Sequence, residues 1–153
     1  MLGRFLTQVD GRGGMDTGTV ARSSEDDCLV MVVDDEADFR DSVALLLGLD
    51  GFRVSRAATG TQALACVLSG AKPDVMLLDQ RMPGLTGTQT LAELRRMGID
   101  LPVVLVSAVA DARRLAEEHQ FDGVLQKPFS HDDLNGVIRD VLRKRGAPCS
   151  QAR

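Results

Sequence analysis

Three acids, a hydroxyl and a lysine stand where apolar runs stop: Asp34 and Asp35 after Cys28 to Val33, Asp79 after Val75 to Leu78, Ser107 after Val103 to Val106, and Lys127 after Val124 to Gln126. If those runs are neighbouring parallel strands, their carboxyl ends share one edge, which is where open α/β sheets form ligand crevices. Carboxylates gathered there repel by roughly 4 kcal/mol per pair at about 4 Å for an effective dielectric near 20, so positive charge must join them. Lys127 supplies one charge, which is not enough. A few hard oxygen ligands around an open site suit Mg²⁺, which keeps several waters and takes one or two carboxylates. A Mg²⁺, a lysine, a hydroxyl and an unhindered carboxylate are the parts of a phosphoryl-transfer site, with Asp79 as the nucleophile. Singly, each residue has a plainer role, since acids at strand ends often cap helices and a lysine before proline often sits in a solvated turn. Their recurrence at four strand ends carries the reading.

The elements that must position them follow from periodicity. Val75 to Leu78, bounded by Pro73-Asp74 before and by Met82-Pro83-Gly84 after, reads as an inner strand covered on both faces. Cys28 to Val33 and Leu101 to Ser107 read the same way, whereas Phe52 to Ala57 alternates like a half-exposed strand and Val124 to Phe129 is a short fifth one. Between them lie helical patterns. Phe39, Val43, Leu46 and Leu47 form a stripe closed by Gly48 and Gly51, Thr59 to Gln62 has capping-box spacing before Leu64, Val67 and Leu68, and Leu91, Leu94 and Met97 mark a helix from Thr88 to Met97. Asp111 to Gln120 is the weakest helix. Ser130 to Asp133 opens the clearest one, with Leu134, Val137, Ile138, Val141 and Leu142 at helical spacing. Strands alternating with helices predict an α/β fold, a doubly wound five-stranded parallel sheet with helices on both faces.

The 153 residues suit one domain: a disordered tail over 1–26, a folded domain over 27–146 and a short tail over 147–153. Hydrophobic residues at 44% and charged residues at 26% are globular values, and without a membrane-length apolar run or a signal-peptide pattern the expectation is a soluble cytoplasmic protein with no membrane partner. A net charge of -4 argues against direct nucleic-acid binding, and the absence of Trp and Tyr against base-stacking platforms. Cys28, Cys66 and Cys149 lack metal-ligand spacing and are expected as reduced thiols. His119 and His131 have no ligand partners at useful spacing and are expected to face solvent, and neither is read as catalytic.

From Cys28 to about Arg145 the chain resembles the receiver domain of bacterial two-component response regulators. The resemblance rests on Val-Val-Asp34-Asp35, Leu-Leu-Asp79-Gln-Arg-Met-Pro-Gly, Val-Ser107-Ala and Lys127-Pro-Phe. It implies the flavodoxin-like strand order 2-1-3-4-5 and phosphorylation of Asp79 by a sensor histidine kinase or phosphotransfer protein. It also implies Mg²⁺ held by Asp35, Asp79 and the main-chain carbonyl of Arg81, with Asp34 holding metal-bound water. Ser107 and Lys127 would each bind a phosphoryl oxygen, and the Lys127–Pro128 bond would be cis.

Two positions depart from the family pattern. Members commonly carry an aromatic three residues before the lysine, where this chain has Val124, so the usual side-chain switch is missing. Arg81, two residues past the nucleophile, is placed to overhang the phosphoryl group and hinder attacking water. Few residues follow the last helix, so the reading is a stand-alone receiver, monomeric or weakly dimeric, that signals through a separate protein target, relays phosphate or drains it. The competing readings are a Mg²⁺-dependent phosphohydrolase and a phosphorylation-independent scaffold.

Overall fold

The computed structural model describes residues 28–146. The expected tails at 1–26 and 147–153 lie outside those residues. Five strands, β1 (Leu29–Val33), β2 (Arg53–Ala57), β3 (Val75–Asp79), β4 (Val103–Ser107) and β5 (Gly123–Gln126), alternate with α1 (Ala37–Leu49), α2 (Gly60–Leu68), α3 (Gly87–Arg96), α4 (Ala112–Glu118) and α5 (His131–Lys144). All strand pairs are parallel, in the order β2-β1-β3-β4-β5 expected from the resemblance.

Each inner strand is apolar throughout because its alternate side chains enter two different cores. Val30, Val32, Val75, Leu77, Val104 and Val106 meet Val43 and Leu47 of α1 and Leu134, Ile138, Val141 and Leu142 of α5. Met31, Val33, Met76, Leu78 and Val103 meet Ala63 of α2 and Leu91 and Leu94 of α3 on the opposite face. Burying such side chains at about 2 kcal/mol each favours only the register that keeps both sets inside. At the amino edge of the sheet two acids fix that register. Asp74 Oδ2 accepts from the Leu29 N–H at 2.8 Å, and Asp122 Oδ2 accepts from the Val103 N–H at 2.8 Å. Asp122 also pairs with Arg95 and Arg145, which ties α3 and the end of α5 to the same corner.

Several local expectations are corrected. Leu68, placed on the buried stripe of α2, is 65% exposed, because the close approach of α2 to its neighbours is made by Gly60 and Ala63 instead. Thr59 caps α2 by accepting from Gln62 N, but the Gln62 amide oxygen accepts from Ala58 N rather than from Thr59. Gly48 is helical, and the chain turns at Gly51 with φ at 95°. Cys28 is disulfide-bonded rather than a reduced thiol, while Cys66 is free and Cys149 lies outside the described residues. The weak fourth helix is real but is only 7 residues long, closed by Gln120 at φ 61°. No helix among the described residues is long and apolar enough to cross a membrane.

Candidate functional site

The sheet delivers Asp34, Asp79, Ser107 and Lys127 to its carboxyl edge. Asp79 is the last residue of β3 and stands opposite Val106, so Ser107 is one residue beyond it on β4. Ser107 lies opposite Gln126, and its carbonyl accepts from the Lys127 N–H at 2.8 Å, which holds the lysine backbone beside the same edge. The Lys127–Pro128 peptide is cis, as expected.

The lysine sits between the two buried acids. Its Nζ donates to Asp34 Oδ2 at 3.0 Å and lies 3.5 Å from Asp79 Oδ1. Asp34 is 2% exposed, and its other oxygen, Oδ1, accepts from the Glu36 N–H at 2.9 Å, which fixes the turn into α1. Asp35 is exposed beside it. Burial, and after it the charge of Asp34, push the Asp79 carboxyl up to about 6, with Lys127 and the Gln80 N–H pulling the other way. Burial also works against charge on Lys127, but its hydrogen bond to Asp34 and the charges of Asp79 and Asp34 outweigh this and hold its pKa above the usual lysine value.

One oxygen each from Asp34, Asp35 and Asp79 falls within 4.8 Å of the others. The donor set is all carboxylate oxygen and one lysine cannot neutralise it, so the residues fit a hard divalent cation such as Mg²⁺. Arg81 is exposed and, with Asp35, Gln80, Thr86 and Asp111, lines an open cavity of about 590 Å³ next to the acids. Val124 is half-buried in β5 opposite Leu105, two residues before the end of the strand.

Three contributors escaped the sequence reading. Phe39, read only as part of the α1 stripe, lies under the Lys127 ammonium, which is 4.0 Å from its ring centroid. Gln80 folds the loop back: its Oε1 accepts from Thr88 N at 3.0 Å and its carbonyl accepts from Gly87 N at 3.0 Å. Gly87 is required there, because a Cβ would meet the Asp79 carbonyl oxygen at 2.5 Å. The only sequence signal was a Gly between two threonines, which is too common to single out. His131 faces solvent, as expected, but has a partner. Although exposed, its Nε2 lies 2.6 Å from Asp50 Oδ2 and joins the start of α5 to the end of α1, at the edge away from the acids. His119 is exposed.

The response regulator receiver domain model matches residues 30–139. The transcriptional regulatory protein PrrA of Mycobacterium leprae is 38% identical over 125 residues, 80% of this chain and 53% of that protein. The phosphate regulon transcriptional regulatory protein PhoB of Pseudomonas aeruginosa is 32% identical over 127 residues, 80% of this chain and 55% of its own length. The chain thus spans about half the length of the curated relatives it matches. Among solved structures, the Francisella response regulator 1452 receiver domain superposes with a TM-score of 0.69 at 30% identity, covering 78% of this chain and 98% of that one. Thermotoga maritima TrrA, solved in complex with Mg(2+)-BeF, gives a TM-score of 0.68 at 28% identity over 74% of this chain and 98% of its own.

Proposed function

The chain belongs to the response regulator receiver domain family, and from that premise we propose that Asp79 accepts a phosphoryl group from a phosphohistidine on a sensor kinase or phosphotransfer protein. The observation that carries this reading is Lys127 poised between Asp34 and Asp79 beside a third acid at one sheet edge. An Asp79 carboxylate oxygen attacks phosphorus in line, the P–N bond to the donor imidazole breaks, and its electron pair stays on nitrogen. Mg²⁺ held by Asp35, Asp79 and the Arg81 carbonyl, with Asp34 on a bound water, would neutralise charge on the phosphoryl oxygens. Lys127, held between the acids, would turn one of its three donors to one of those oxygens, and the Ser107 hydroxyl donates to another. In the structure that hydroxyl oxygen accepts from the Val109 N–H at 3.2 Å, a bond that leaves its proton available.

Added negative charge is then read out through a protein partner, whether as an effector, a relay step or a phosphate sink. The acidic balance of the chain, -4, favours a protein over nucleic acid as what the domain touches. We read the domain as spanning 27–146, cytoplasmic, monomeric or weakly dimeric, and catalysing only its own phosphorylation and dephosphorylation. Incubation with acetyl phosphate and Mg²⁺ tests the reading. One slowly decaying label per chain on Asp79 is expected, whereas many turnovers of released phosphate would indicate a phosphohydrolase and no label a scaffold.

Arg81 stands at the rim of the cavity through which water must approach. Replacing it with alanine is expected to speed decay of the label about three- to tenfold, a barrier change of about 1 kcal/mol. Equal decay rates for both proteins would reject the overhang.

A further inference from the structure

The aromatic that family members commonly carry three residues before the lysine is absent, yet Lys127 still has an aromatic neighbour, supplied from another element. Phe39 projects from the first turn of α1, and the Lys127 ammonium stands 4.0 Å from its ring centroid while donating to Asp34 Oδ2 at 3.0 Å. The ring is itself held. It meets Phe129 edge to face, with centroids 5.8 Å apart and planes at 88°, and both rings pack on the core beside Val43 and Val106. Phe129 follows the lysine by two residues, so the arrangement grips the β5–α5 turn and the start of α1 together. Arg40, the next residue of α1, donates from Nη1 to the Asp34 carbonyl at 2.7 Å and fixes the same turn.

Resting on the phosphoryl-transfer reading of the site, we propose that Phe39 is a positioning residue that acts through Lys127. The negative face of its ring supports the ammonium and keeps the long side chain aimed at the acids and at an incoming phosphoryl oxygen. A lysine gives up considerable rotamer freedom to stay in one place, and a partly desolvated cation over a phenyl face is held there without satisfying any of its three donors. Those donors stay available for carboxylate and phosphoryl oxygens. An aliphatic side chain of similar volume would fill the space and lose this hold.

Two measurements test the proposal. The first is proton NMR of the full chain without Mg²⁺. The Lys127 Hε resonances should lie upfield through the Phe39 ring current, move to ordinary positions in Phe39→Leu, and remain upfield in Asp79→Asn. Ordinary positions in the unsubstituted protein would overturn the proposal whether or not Asp79 is ever phosphorylated. The second is the rate of Asp79 labelling by acetyl phosphate and Mg²⁺ with fluorinated phenylalanines incorporated at position 39. Fluorine drains the ring face with little change in shape, so the rate should fall stepwise from phenylalanine to its trifluoro form, about fivefold in all, with Phe39→Leu at or below the lowest of the series. A flat or rising series in protein that labels normally would show that the ring only fills space and would overturn the assignment, leaving the phosphoryl-transfer reading intact.

Discussion

Replacing Asp79 with asparagine is expected to remove the covalent phosphoryl label altogether while leaving the fold in place. The amide has the shape of the carboxyl group, and the strand that carries it is buried throughout, so β3 keeps its register between β1 and β4. What is lost is the nucleophilic oxygen. No other acid at the edge is placed to substitute: Asp34 is engaged by Lys127 and by the Glu36 N–H, and Asp35 is exposed beyond the end of its strand. Labelling by acetyl phosphate should fall by at least about a thousandfold, the scale seen when a nucleophile is removed. Label retained on the variant at more than a small fraction of the original rate would assign the chemistry to another residue and undo the proposed function.

The same substitution has a consequence for stability, with a definite sign. In the metal-free protein the Asp79 carboxyl is pushed up to about 6 from its ordinary 3.8, so the folded state holds that proton more tightly than the unfolded one. The stability this contributes is fully present below pH 3.8 and is lost as pH rises through 6, above which the folded chain carries a buried carboxylate next to Asp34. Asparagine carries no such charge. With chelator present, the melting midpoint of Asp79→Asn should therefore exceed that of the parent by a margin that grows from pH 5 to pH 7 and then levels off. A margin constant across that range would show that the carboxyl is not held in the protonated direction by its surroundings.

The parallel sheet, the two-faced core and the gathering of Asp34, Asp79, Ser107 and Lys127 were legible in the sequence because they depend on coarse regularities, whereas the strand order was implied by the resemblance to the receiver family. Apolar runs of strand length, polar residues at their ends and helical stripes between them admit few parallel topologies. What escaped detection depends on single contacts between distant elements. Nothing in the spacing of Phe39 distinguishes a side chain that fills the α1 interface from one that also lies under an ammonium 88 positions later, since both occupy the same helical face. Leu68 was misplaced for a related reason: periodicity assigns a face, but the depth of burial along that face depends on where the helix comes closest to its neighbours, and small residues set that point. His131 paired with Asp50 because the sheet brings the end of α1 next to the start of α5, a proximity that no local pattern encodes.

Gly60 is where that small-residue approach has its largest expected effect. It is the first residue of α2, where alanine would ordinarily favour the helix by up to about 1 kcal/mol over glycine. Here an added Cβ would collide with the Thr90 hydroxyl oxygen and stand 3.3 Å from the Leu85 Cβ. Thr90 cannot yield easily. It is fully buried in α3, and its hydroxyl donates to the Thr86 carbonyl at 2.8 Å. Gly60→Ala must therefore push α2 away from α3, at a net cost of about 2 kcal/mol, the usual scale for overpacking a core. The clash falls on one atom, so it can be removed from the other side. In a Thr90→Ala background the nearest remaining contacts are the 3.3 Å to the Leu85 Cβ and the 3.3 Å to the Cβ of residue 90, and the same glycine substitution should lose most of its penalty, a coupling of about 1–2 kcal/mol between the two sites in denaturant unfolding. An equal penalty in both backgrounds would place the strain elsewhere. Thr86 caps α3 and joins the cavity beside the acids, so a displaced α3 also shifts the loop that follows Asp79. Gly60→Ala should accordingly slow Asp79 labelling at temperatures where the protein remains folded, and Gly60→Ala with Thr90→Ala should recover it.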